Sequence, residues 1–370
     1  MRRTCFIRIT GVLTALTGLL TLPALAIGQD LAGRQEPTTA KGGRPTPGAA
    51  SDLKSIDDDY ARQLLALERQ RLERLERLAA RQTPPDAAVT YEKLFRLAIA
   101  ANLFREAEPA AKTVVTKGSP SLVATGLADL VNIIAEVDRG AYDQSLESLR
   151  QAVAARAKAA ENGTPGAELP TDEVVAICDA YYQRLIEGGQ FENARKALNI
   201  LLEQTQRPAL KEFSASRLRR LDLVGKPAPP IKGTDLDRKP FDLADAKGKV
   251  VLVIFWASWC LPSAAEIESL QEVEEAYRAR GLEMVGINLD GLSDGGQKPE
   301  SALPNIRHFL LDYNVRWPTL VNGQGDKDYA KAYGVTEIPA NVLIGKRGTV
   351  VQIDLVPKNL ETTIAKAVGE

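Results

Sequence analysis

Apolar positions follow two different rhythms along the chain, and the change between them marks a domain boundary. From Pro84 to Arg220 they recur at helical spacing, so this stretch is predicted to contain helices only. Three segments within it repeat one pattern: Asn102-Leu103-Phe104-Arg105-Glu106-Ala107, Gly140-Ala141-Tyr142-Asp143-Gln144-Ser145 and Gly189-Gln190-Phe191-Glu192-Asn193-Ala194. Each opens a helix with an aromatic residue, has a small residue three positions on, and continues with Ala111, Leu149 or Leu198 four positions further. Past Leu223-Val224-Gly225-Lys226-Pro227-Ala228-Pro229-Pro230, a proline-rich break, the rhythm changes to short apolar runs alternating with helical segments. Strands are predicted at Phe241–Leu243, Val250–Trp256, Glu283–Leu289, Thr319–Val321, Ala340–Ile344 and Val350–Val356. Helices are predicted at Ser263–Arg280, Pro304–Tyr313, Lys327–Tyr333 and Leu360–Val368, and Lys346-Arg347-Gly348 turns the last hairpin. Such alternation implies an α/β sheet with an antiparallel hairpin at one edge.

The all-α stretch is similar to the second helices of tetratricopeptide repeats, where a small residue lets two helices approach closely. The third copy matches best, with Tyr181-Tyr182 on the preceding helix and Pro208 closing the unit, although the copies lie 38 and then 49 residues apart. Upstream, a charged helix is predicted from Ile56 to Gln82, docked by one face through Leu64, Leu65, Leu67, Leu72, Leu75 and Leu78. Residues 27–55, rich in glycine and proline and poor in large apolar side chains, read as a disordered linker. The expected organisation is a signal peptide over 1–26, the linker over 27–55, an all-α helical-hairpin domain over 56–220 and an α/β domain over 222–370.

The signal peptide rests on Arg2, Arg3 and Arg8, an apolar core from Ile9 to Leu22, and the small-x-small site Ala24-Leu25-Ala26. Cleavage there leaves 44 basic against 48 acidic residues, a net charge of −4, which offers no basic field for nucleic acid. No other apolar run approaches the ~20 residues a spanning helix needs, so the mature chain is expected to be exported, in the periplasm or cell envelope. Membrane contact is expected only through an uncleaved signal segment. Cys5 leaves with that segment, and Cys178 and Cys260 remain. With His308 the sole histidine, no zinc site or disulfide framework is available, and no cofactor is expected.

The chemistry centres on Cys260. It ends an apolar strand in Phe255-Trp256-Ala257-Ser258-Trp259-Cys260-Leu261-Pro262-Ser263, at the junction with a helix. A helix N-terminus favours a thiolate, the reactive form of cysteine, and Pro262 suits the first helical turn because its missing N–H is unused there. Ser263 stands three residues on, able to hydrogen-bond a sulfur but unable to attack a disulfide.

From about Val224 to Glu370 the chain resembles the TlpA/ResA-like branch of the thioredoxin superfamily. The matching residues are Gly225-Lys226-Pro227-Ala228-Pro229, Lys247-Gly248-Lys249-Val250-Val251-Leu252-Val253, the Trp-Ala-Ser-Trp-Cys-Leu-Pro run, Glu266, and Tyr333-Gly334-Val335-Thr336-Glu337-Ile338-Pro339. The resemblance implies an exported thiol-disulfide oxidoreductase acting on protein thiols and disulfides, with Ile338–Pro339 in cis and facing Cys260. It implies Cys260, Ser263 and Glu266 as catalytic positions and Trp256, Trp259, Pro262, Ile338 and Pro339 as substrate-binding ones.

Two departures stand out. Ser263 replaces the second active-site cysteine, removing the step that resolves a mixed disulfide from within, and Glu268 replaces a common proline after Glu266. Cys178, on the apolar stretch Val174-Val175-Ala176-Ile177, is either a buried inert thiol or a resolving thiol supplied from the helical domain. The leading expectation is a monothiol exchange protein or isomerase. The alternative is a redox-inactive scaffold whose helical domain binds a protein partner. A peroxidase is disfavoured because Ser258-Trp259 stands where peroxiredoxins carry threonine and proline.

Overall fold

The computed structural model describes residues 4–5, 47–162, 169–292 and 299–369. Most of the expected signal peptide and linker lie outside these. Eight helices build the first layer: α1 (Pro47–Ala79), α2 (Pro84–Ala100), α3 (Phe104–Lys117), α4 (Leu122–Asp138), α5 (Tyr142–Glu161), α6 (Thr171–Glu187), α7 (Phe191–Gln204) and α8 (Pro208–Leu221). Helix α1 begins inside the stretch read as a linker. Pro47 is tolerated at the first helical position, and Ala49 and Ala50 propagate the helix beyond Gly48.

The sequence repeat has a structural counterpart. Phe104, Tyr142 and Phe191 each begin the second helix of a hairpin, and Asn102, Gly140 and Gly189, two residues earlier, all have positive φ (58°, 80° and 68°). The left-handed residue lets two successive amides turn back onto the preceding helix. Leu103 donates to the Ala98 carbonyl, Ala141 to Glu136 and Gln190 to Leu185, the capping arrangement that satisfies terminal carbonyls. The small residues Ala107, Ser145 and Ala194 are all buried at the helix contacts, as are Ala111, Leu149 and Leu198.

The second layer is a five-stranded sheet: β4 (Val250–Trp256), β5 (Leu282–Asn288), β6 (Thr319–Val321), β8 (Ala340–Ile344) and β9 (Val350–Ile353). Its order is β6-β5-β4-β8-β9, with β4, β5 and β6 parallel and β8 and β9 antiparallel. A small hairpin, β2 (Lys232–Thr234) and β3 (Pro240–Asp242), precedes it. Every residue of β4 is buried because the strand is central and covered on both faces. Val250, Leu252, Ile254 and Trp256 pack toward helices α10 (Ile267–Tyr277), α11 (Pro299–Asp312) and α13 (Pro357–Gly369). Val251, Val253 and Phe255 face the other way, into a core that runs without interruption into the helical layer. The helical hairpins thus cover one face of the sheet.

Besides that hairpin, two further described strands lie apart from the sheet. Strand β7 (Glu337–Ile338) precedes β8, and β1 (Thr4–Cys5) pairs with it in parallel, Thr4 opposite Glu337 and Cys5 opposite Ile338. No described helix is long and apolar enough to cross a membrane.

Candidate active site

Strand β4 delivers the loop Ala257–Cys260 to its C-terminal end, the usual place for a site in an open α/β sheet. The loop is held from below by Asp290: the Ser258 amide donates to its Oδ1 at 2.7 Å and the Ser258 hydroxyl to its Oδ2. Asn288 fixes Asp290 in turn, donating from Nδ2 at 2.9 Å and accepting from the Asp290 amide at 3.0 Å. Neither residue was marked by the sequence pattern. A buried carboxylate two residues past a strand has no local signature apart from the Asn-x-Asp spacing.

Cys260 is the N-cap residue of α9 (Leu261–Ala265), its carbonyl accepting from the Ser263 and Ala264 amides at 3.0 and 3.3 Å. The single helix expected over 263–280 is broken at Glu266 into α9 and α10. The Ile338–Pro339 bond is cis, and the Cys260 sulfur lies 3.8 Å from the Ile338 carbonyl oxygen across 78 residues of chain. Cys260 is fully buried and disulfide-bonded, while Cys178 is the free thiol among the described residues.

Around this pair the expected site residues divide. Trp259 is 43 % exposed and Pro262 half-buried, so both lie at the rim, with Leu261 exposed between them. Trp256, also expected in the substrate-binding set, lies below the rim. It is buried and stacked on Phe309 at 4.6 Å between ring centroids, because its place in the β4 alternation points it into the core. Ser263 is buried, and among the described residues its hydroxyl has no hydrogen-bond partner, the Cys260 sulfur included. Ser263, Glu266 and Pro339 share the wall of a small cavity of about 10 Å³ with Trp256, Phe309 and Trp317. That is about the space one water needs.

Cys178 sits in the middle of α6, lining a cavity of about 160 Å³ in the helical layer. Burial pushes its thiol up to about 12. It is not the partner in the Cys260 disulfide. His308 is exposed and pairs only with Asp312 on its own helix, at 3.2 Å. No cluster of metal-binding side chains occurs among the described residues.

A mixed sheet with helices on its faces, its central strand ending in a cysteine at the start of a short helix, is a thioredoxin-like fold. A profile of the AhpC/TSA family matches residues 224–353. The thiol-disulfide oxidoreductase ResA of Bacillus thuringiensis subsp. konkukian is 32 % identical over 129 residues, covering 35 % of this chain and 68 % of the relative. ResA of Geobacillus thermodenitrificans is 30 % identical over 130 residues, with the same coverage of 35 % and 68 %. Among solved structures, the thioredoxin domain of a Bacteroides vulgatus thiol-disulfide oxidoreductase is 27 % identical, with a TM-score of 0.35, over 39 % of this chain and 97 % of that one. The chain belongs to the ResA family of thiol-disulfide oxidoreductases. The family profile begins at residue 224, past the last helix of the helical layer.

Proposed function

We propose that this protein is an exported thiol-disulfide exchange protein that works through Cys260 alone, on protein thiols and disulfides. The observation that carries the reading is the meeting of the Cys260 sulfur with the Ile338 carbonyl beside the cis bond, at a strand edge that accepts another extended segment. A client strand laid along β7 gains backbone hydrogen bonds, the usual basis of strand-addition recognition. The register seen with β1 suggests that the client cysteine sits opposite Ile338.

The exchange step is balanced without any other redox partner. The Cys260 thiolate attacks one sulfur of a client disulfide, a new sulfur–sulfur bond forms as the client's bond breaks, and the other client sulfur leaves as a thiolate. Release needs a second thiolate. Ser263 has none to offer, so an external thiol or a second client cysteine supplies it. Such a site shuffles or holds client disulfides and is a poor net reductant. Export follows from the Arg-rich, apolar leader and the Ala24-Leu25-Ala26 site.

The complete burial of Cys260 favours a second reading, a redox-inactive scaffold whose helical hairpins bind a protein partner. One experiment separates them. The fully reduced chain, with Cys178→Ala as control, is mixed with a peptide disulfide and the products are read by mass spectrometry. An adduct on Cys260 supports exchange. Absence of an adduct, while iodoacetamide still modifies Cys260, refutes it and leaves the scaffold.

A further inference from the structure

In the segment that leads into the cis bond, Gly334, Thr336 and Glu337 are each gripped by α8. Arg220 donates from Nη1 to the Gly334 carbonyl at 3.4 Å. The Ser216 and Thr336 hydroxyls are hydrogen-bonded at 2.6 Å. Arg217 donates from Nη1 to Glu337 Oε2 at 2.6 Å and from Nη2 to Asp179 on α6 at 3.0 Å. Ser216, Arg217 and Arg220 are spaced one and four apart, so they project from one side of the helix.

The grip is dry and close. Arg217 and Arg220 are 2 % and 0 % exposed, and Asp354, which accepts from Arg220 and from Tyr182, is also fully buried. The Arg217 guanidinium lies over the rings of Phe213 and Tyr182 at 4.9 and 5.6 Å. Burial disfavours its charge, and Asp179, Glu337 and Asp354 together outweigh that. Gly334 has a φ of 64°, and a Cβ there would lie 3.0 Å from the Arg219 Cβ and 3.2 Å from its backbone carbon. Only glycine lets this segment come so near α8.

Buried ion pairs add little net stability over apolar packing, but they fix geometry, because breaking one leaves an uncompensated charge. What is fixed here is the strand that presents the Ile338 carbonyl to Cys260. The backbone of β7 is engaged on one side by an extended segment, and the Glu337 side chain is engaged on the other by α8. We propose that Arg217 and Glu337 are positioning residues, and that α8 makes the helical domain part of the exchange site by holding the client-docking strand in register with Cys260. This rests on the exchange reading above and adds to it a role for a domain that lies outside the residues matched by the family profile.

The test uses the full chain and the Glu337→Gln variant, which keeps an acceptor for Arg217 but removes the charge. A combined Arg217→Met, Glu337→Gln, Asp179→Asn variant leaves no unpaired buried carboxylate, so folding is preserved while the grip is lost. Rates of adduct formation on reduced Cys260 are measured with an extended peptide disulfide and with 2-hydroxyethyl disulfide, which has no backbone to dock. The expected result is that the peptide rate relative to the small-disulfide rate falls about tenfold in both variants. A ratio within twofold of the parent overturns the proposal. Amide hydrogen exchange of residues 334–340 supplies an arm independent of chemistry. Protection there is expected to fall tenfold while β4 stays protected, and unchanged protection overturns the proposal even if the parent forms no adduct, an outcome that would separately refute the exchange reading.

Discussion

Restoring a second thiol by Ser263→Cys is the sharpest test of the single-cysteine reading. The Ser263 hydroxyl is buried and has no hydrogen-bond partner among the described residues, so the substitution breaks none there, and a buried hydroxyl without a partner carries a desolvation cost of about 1–3 kcal/mol. Residues three apart on one helical turn have Cβ atoms ~5–6 Å apart. A disulfide needs ~3.5–4.5 Å, so closure asks only a local adjustment of the five-residue α9. Once a client is bound to Cys260, the new thiol attacks at an effective concentration set by that geometry. Even ~1 M, far below the ~10⁵–10⁸ M ceiling for well-oriented groups, outruns 1 mM external thiol by about 10³-fold, roughly 4 kcal/mol of barrier. Acid-quenched time courses read by mass spectrometry give the result directly. The parent is expected to accumulate the Cys260 adduct until external thiol is added, whereas the variant passes through it to an internal disulfide two hydrogens lighter. An adduct equally long-lived in the variant, with its new thiol open to alkylation, would refute the reasoning.

Three further outcomes are expected. Cys178, raised to about 12 by burial, is expected to resist iodoacetamide at pH 8 in the folded chain and to react once the chain is denatured, and Cys178→Ala is expected to leave exchange unchanged. Asp129 is raised to about 6, chiefly by burial and against the opposing pull of Arg156. Its folded pKa exceeds its unfolded one, so the folded state holds the extra proton and stability falls as pH rises from about 4 through 6. Denaturant unfolding of Asp129→Asn is therefore expected to remove a few kcal/mol of that decline, and an unchanged pH profile counts against it. Arg220→Met removes the ion-pair partner of the fully buried Asp354 carboxylate and is expected to cost about 3–5 kcal/mol in denaturant unfolding, a loss under 1 kcal/mol showing that the pair is not the anchor.

The local grammar of the chain was legible over much of its length. The apolar run Val250–Trp256 became the central strand within the same bounds, and the strands Thr319–Val321 and Ala340–Ile344 also kept theirs. The aromatic-plus-small repeat marked three helix starts, since each depends on a left-handed turn residue two positions earlier. Misreadings came where composition and conformation part. Glycine and proline near Pro47 suggested a linker, though proline at a first helical turn is harmless. Alternation along β4 carries Trp256 into the core, where it lines the same small cavity as Ser263, Glu266 and Pro339.

The amino-acid sequence by itself determined the two-part architecture, the Cys-x-Pro junction and the loss of the second thiol. These follow from periodicity, backbone preference and residue identity within a few positions of one another. Only the tertiary structure decided that the Ser263 hydroxyl finds no hydrogen-bond partner among the described residues, and that α8 grips the segment before the cis bond. Arg217 and Glu337 lie 120 residues apart. An arginine on a helix face reads the same in sequence whether it meets water or a buried carboxylate, and only the packing of one layer on the other distinguishes the two.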